Sequence, residues 1–169
     1  MKKTTLRIVT GCMIFTGVLF FTNSCKNLCK DVECQNGGIC VEDDGSCDCS
    51  GTHYEGTNCD TEERAKFLGT WAVTDACTLS NTSTYTCTID KSSSAINKVL
   101  IDNMWGLFSN PVEATVDGSS VDVALQEPDG DGYTISGSGT ISGTEISWSY
   151  SITDPTSQVD DCTSTWTAQ

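Results

Sequence analysis

Cysteine dominates the chemistry open to this chain: eleven thiols stand in 169 residues, beside a single histidine, His53. Two uses compete for so many thiols, cross-linking in an oxidising compartment and metal ligation in a reducing one. One histidine and an export-type amino terminus favour cross-linking. Six cysteines form a tight series, Cys29-x4-Cys34-x5-Cys40-x6-Cys47-x-Cys49-x9-Cys59, while Cys77, Cys87 and Cys162 are scattered further on and Cys12 and Cys25 precede it.

Carboxylates are the other abundant reactive group, but abundance is not a site. Ser-His-Asp or Cys-His catalysis needs a positioned base, and His53 sits in a cysteine-rich loop far from any nucleophile. Asp129/Asp131 and Asp160/Asp161 fall in polar, turn-like stretches and read as solvated. Asp129-Gly130-Asp131-Gly132 resembles the start of a calcium loop, yet it lacks the third oxygen position and the distal glutamate, so a hairpin turn is expected. A two-carboxylate glycosidase would rest on the number of acids alone. No enzyme, cofactor or metal is therefore expected. Without residues 1–24, which hold Lys2, Lys3 and Arg7 and no acid, 9 − 3 = 6 basic residues face 23 acidic ones, a formal charge of −17. That surface repels phosphates and anionic headgroups, which excludes nucleic acid as a partner.

The elements that place these residues begin with an export signal over 1–24. Lys2, Lys3 and Arg7 precede an apolar run from Ile8 to Phe21, 14 residues, whereas a spanning helix needs about 20. A cleaved signal follows. Thr22-Asn23-Ser24-Cys25 then resembles a bacterial lipobox, with Ser24 fitting the pattern and Thr22 and Asn23 departing from it. The resemblance implies that Cys25 is diacylated and joins the chain to the membrane, with 25–28 as a tether. Two acyl chains suffice for stable attachment. Lys26 differs from the inner-membrane retention aspartate, so an outer-membrane location is expected, surface-exposed or periplasm-facing. Parity stands against lipidation: ten cysteines remain after Cys12 leaves, and all ten could pair only if Cys25 were an ordinary thiol.

Residues 29–59 cannot bury enough apolar surface to offset chain entropy, with only Val32, Ile39, Val41 and Tyr54 to form a core. Disulfides must substitute, at typically ~2–4 kcal/mol each. Six cysteines allow about 15 connectivities, and spacing does not choose among them. The series, with Gln35-Asn36-Gly37-Gly38-Ile39-Cys40 and Tyr54-Glu55-Gly56-Thr57-Asn58-Cys59, resembles an EGF-like domain with its last loop one residue longer than the common form. That resemblance implies Cys29–Cys40, Cys34–Cys47 and Cys49–Cys59. Calcium-binding members carry acidic ligands before the first cysteine; here Lys26 stands there, so no calcium site is expected. Asp43, Asp44 and Asp48 read as a solvated loop.

Residues 60–66 read as a charged linker or single helical turn. From 67 to 169 the composition shifts to Ser, Thr, Gly and alternating apolar residues: Trp71 and Val73; Val112, Ala114 and Val116; Val121, Val123 and Leu125; Ile146, Trp148, Tyr150 and Ile152. Period-two alternation, divided by Asp117-Gly118, Glu127–Gly132 and Ser142-Gly143, predicts about eight antiparallel strands in a closed barrel or a sandwich. The fold class is thus mainly β, a disulfide-rich module followed by an antiparallel β domain. Phe67-Leu68-Gly69-Thr70-Trp71 resembles the G-x-W element of lipocalins and other calycin-like barrels, which would pack Trp71 across the barrel base; otherwise Trp71 is ordinary core. The layout resembles short lipocalin-like domains of bacterial lipoproteins. Cys77 ends the first strand and Cys162 begins the last, neighbours if the barrel closes. Cys77–Cys162 with Cys87 free is expected over Cys77–Cys87. The function expected is a non-enzymatic, membrane-anchored binding module for an extracellular protein or glycan. The alternative is a carrier of a small apolar ligand, its cavity lined by Trp71, Val73, Val123, Trp148 and Tyr150.

Overall fold

The computed structural model describes Asn27–Gln169; the signal and Cys25 lie outside the described residues. Residues 29–59 carry two short ladders. β1 (Ile39–Cys40) pairs with β2 (Cys47–Asp48), and β3 (Tyr54–Glu55) pairs with β4 (Thr61–Glu62). Disulfides join Cys29 to Cys40, Cys34 to Cys47 and Cys49 to Cys59. Cys59 is the one apolar residue of this module that is buried. Gly38 shows why glycine stands beside it: a Cβ there would lie 2.4 Å from Cys59 Sγ.

Eight strands follow: β5 (Gly69–Cys77), β6 (Asn81–Lys91), β7 (Lys98–Asp102), β8 (Val112–Asp117), β9 (Ser120–Gln126), β10 (Thr134–Ser142), β11 (Glu145–Thr153) and β12 (Val159–Ala168). Each pairs antiparallel with the next, and β12 pairs with β5, closing an up-and-down barrel. Between barrel and sandwich the answer is the barrel. The cause is the alternation itself, since every strand keeps one face apolar and closure leaves no exposed edge.

An eight-stranded barrel is just wide enough for its own side chains to fill. Trp71 and Val73 from β5, Cys87 and Ile89 from β6, and Trp148, Tyr150 and Ile152 from β11 belong to one buried cluster that includes Trp166. Trp148 and Trp166 stack with ring centroids 5.2 Å apart. β10 makes room for them with glycine. Gly139 lies opposite Trp148, and a Cβ on it would come within 2.7 Å of the indole.

Residues 60–66 are more than a connection. Thr61–Glu62 is the strand β4, and Glu63–Phe67 is a 3-10 turn that closes one barrel end. Phe67 is fully buried, and Trp71 Nε1–H donates to its carbonyl at 2.8 Å. Arg64, itself buried, donates to the carbonyls of Ser92, Ala95 and Lys98 in the β6–β7 connection. The Gly118 N–H in the β8–β9 turn donates to Glu63. The cysteine module therefore joins this proximal end, and the opposite end of the barrel is free of it.

Candidate functional site

The distal end is built from four connections: Thr78–Ser80, Asn103–Pro111, Glu127–Tyr133 and Asp154–Gln158. β5 and β12 meet there through Cys77–Cys162, directly opposed in register. Asp160, expected as a solvated turn residue, is instead buried in β12. Its carboxylate accepts from Leu79 N–H at 2.7 Å, Ser80 Oγ at 2.6 Å, Ser80 N–H at 3.1 Å and Thr78 Oγ1 at 3.0 Å. Burial pushes its pKa up, but these donors outweigh burial and leave it below the usual carboxylate range. Asp129 ties two loops together by accepting from the N–H groups of Ser109 and Asn110, which lower its pKa.

Trp105 stands at the centre of this end. Its backbone adopts φ 64°, between Asn103 at 61° and Gly106 at 69°. A bulky residue in that region is strained by about 1–3 kcal/mol and is held there by its surroundings. The surroundings are Phe108 and Tyr133, with ring centroids 5.6 and 5.8 Å from the indole. Gly106 lies against Tyr85, where a Cβ would come within 3.1 Å of the ring.

Three cavities share Trp105. One of 260 Å³ is lined by Leu79, Ser80, Tyr133, Ile152, Asp154 and Asp160, among others. A second of 290 Å³ reaches Ser83, Tyr85 and Leu107, and a third of 210 Å³ reaches Phe108, Asp129 and Asp131. A fourth, of 470 Å³, lies on the cysteine module between Asp31 and Asn58 and has no aromatic wall. Leu79, Leu107, Leu125 and Val159 are exposed in the distal half of the barrel, Leu79 and Leu107 on cavity walls.

Beneath the rim lies a polar group inside an apolar barrel. Asp75 is fully buried, and its Oδ2 accepts from Tyr85 Oη at 2.5 Å and Tyr150 Oη at 2.6 Å. Among the described residues its Oδ1 has no partner, nor does the buried Nε1–H of Trp148. A buried polar atom left unpaired costs about 1–3 kcal/mol, so such atoms are uncommon in a native fold. Burial raises the pKa of both tyrosines, and the adjacent carboxylate adds to the rise. Burial likewise raises that of the Cys87 thiol, which donates to Asn103 O at 3.2 Å.

The residues singled out from sequence separate into two groups. Trp71, Val73, Val123, Trp148 and Tyr150 are all inside the barrel as packed core, and none lines any of these four cavities. Cys77 and Cys162 are bridged, and Cys87 is a free, buried thiol. Asp43 and Asp48 are exposed, and Asp44 accepts from Ser46 in a turn. His53 Nδ1 lies 3.8 Å from Glu63, remote from the distal end. Sequence reading missed Trp105, Tyr85 and Asp75. Asp75 had a signal: it continues the Trp71, Val73 phase and must point inward with them.

No protein-family model matches the chain, and no curated protein matches it. Among solved structures, similar ones include EF1p2-mFAP2b bound to DFHBI, at 18% identity over 63% of this chain and 98% of that chain, TM-score 0.45. A redesigned β-barrel matches at 16% identity over 63% of this chain and 95% of its own, TM-score 0.47. The redesigned β-barrel mFAP1 bound to DFHBI matches at 19% identity over 60% and 94%, TM-score 0.42.

Proposed function

We propose that this chain is a non-enzymatic, exported binding protein that meets its ligand at the distal mouth of the barrel. The observation that carries this reading is the convergence of three cavities of 210–290 Å³ on Trp105, at the end away from the cysteine module. Concave sites with an apolar wall and a few placed polar groups are where small ligands bind. Leu79 and Leu107, exposed on the cavity walls, support it, since exposed apolar surface at a concave site marks an interaction site. A ligand held deep among Trp148 and Tyr150 is less favoured, because those side chains already fill that space.

Attachment through Cys25 and an EGF-like module suit the same purpose. The Cys29–Cys40, Cys34–Cys47 and Cys49–Cys59 order supports the EGF-like reading. A lipid at Cys25 would put the module next to the outer membrane and hold the mouth away from it. Metabolic labelling with a clickable fatty acid tests the anchor: label is expected on the native chain and absent from Cys25→Ala, and label persisting in the variant would refute it. A small-molecule screen by thermal shift on the full chain tests the mouth. Hits that stabilise the native chain and fail on Trp105→Ala are expected. Hits equally strong on the variant would move the site elsewhere.

A further inference from the structure

Charge is distributed very unevenly along the barrel axis. The basic residues among those described are Lys30, His53, Arg64, Lys66, Lys91 and Lys98, and every one belongs to the module, the 3-10 turn or the proximal half of the barrel. The lysine and arginine ion pairs have the same bias: among the described residues Glu55, Glu62 and Glu113 take all of them. Asp129, Asp131, Asp154 and Asp160 line the cavities around Trp105 and have no cation partner among the described residues. Their hydrogen bonds come from neutral donors, which hold the carboxylates in place without neutralising the mouth.

A second observation is independent of that acidic rim. Asp75 is fully buried directly behind Tyr85, whose ring lines the 290 Å³ cavity, and its Oδ1 is an acceptor with nothing to accept from. The protein thus keeps an unpaired carboxyl oxygen behind the tyrosine wall of the 290 Å³ cavity, which shares Trp105 with the two acid-lined ones. Trp105 adds a third, as indole offers the strongest face for a cation, and quaternary or protonated nitrogen is what such faces select when carboxylates surround them.

Resting on the mouth as the binding site, we infer that its ligand is an organic cation, an ammonium group on an apolar body. The body packs on Trp105, Tyr133 and Leu79. The nitrogen faces the mouth carboxylates, and the buried Asp75 carboxyl lies behind the Tyr85 wall. Anionic ligands are repelled, and a neutral isostere lacks both the Coulombic and the cation–π contribution.

Isothermal titration of the full chain with phenethylamine, 2-phenylethanol and phenylacetate tests the charge requirement. The amine is expected to bind about tenfold or more tightly than the alcohol, to weaken as salt is raised, and phenylacetate to give no heat. Asp131→Asn, at an exposed cavity wall, weakens the amine and leaves the alcohol unchanged. Asp75→Asn does the same, with its melting temperature recorded so that a folding defect is separated from a binding one. Equal affinity for amine and alcohol would overturn the cation while leaving the mouth intact. Preference for phenylacetate, or no binding of the amine, would overturn it too. Amine binding that survives Trp105→Ala would instead overturn the mouth itself.

Discussion

The cysteine module and the barrel solve the same problem by opposite means. In the module three disulfides cross-link 31 residues, and Cys59 is the only apolar residue buried. In the barrel one disulfide accompanies a continuous core that runs from Phe67 to Trp166. The difference teaches where function has room. A module without a core has no interior to shape, whereas a barrel with surplus core can carry unsatisfied Asp75 and strained Trp105 at one end. Each of those costs stability that the packed remainder supplies.

The comparison breaks most visibly under reduction. Three bridges at ~2–4 kcal/mol each hold the module, so dithiothreitol is expected to remove its protection from amide exchange entirely. The strands β7, β8 and β10, remote from Cys77–Cys162, keep theirs. Simultaneous loss in both regions would mean that the barrel leans on the module. A smaller effect sharpens the contrast. Trp166→Ala in the barrel is expected to cost about 3–5 kcal/mol. Ile39→Ala in the module, where Ile39 is 71% exposed, is expected to change stability by under about 0.5 kcal/mol. Denaturant midpoints with unchanged slopes check both.

A more gradual effect is in pH. Tyr85 and Tyr150 have pKa values raised in the fold by burial and by Asp75. Their stabilisation is fully present below the unfolded phenol pKa of about 10 and falls as pH rises past it, by up to ~1.4 kcal/mol per pH unit per tyrosine. Chemical denaturation between pH 9 and pH 11 is expected to show that fall in the native chain and a shallower one in Tyr85→Phe. An identical slope in both would place the titrating group elsewhere.

Much of the barrel was legible in the sequence because its strands alternate. β8, β9 and β11 declare their inner faces through Val112, Ala114 and Val116, through Val121 and Val123, and through Ile146, Trp148, Tyr150 and Ile152. β10 is harder to read, since its inward positions opposite Trp148 and Tyr150 are Gly139 and Gly137, which carry no side chain to mark a face. The site was less legible still. Asp160 reads as half of a polar pair, and its role depends on turn N–H groups about 80 residues earlier in the chain. Leu125 shares the sequence phase of Val121 and Val123 yet is exposed, because the β9–β10 register shifts between Ile135 and Gly137. Trp105 lies in a loop with no periodicity, and only the closure of the barrel brings it over Tyr85 and Tyr133.

The central claim, that ligand is met at the Trp105 mouth, is tested most directly by ¹H–¹⁵N spectra of the full chain titrated with phenethylamine. The indole Nε1–H signal of Trp105 is assigned by its disappearance in Trp105→Phe. Saturable shifts of that signal and of the Ser80 and Tyr133 amides are expected, with the Trp71 indole and the module amides unmoved. Shifts confined to Asp31–Gln35 and Thr57–Asn58, around the module cavity, or an unmoved Trp105 indole at saturation, would contradict it.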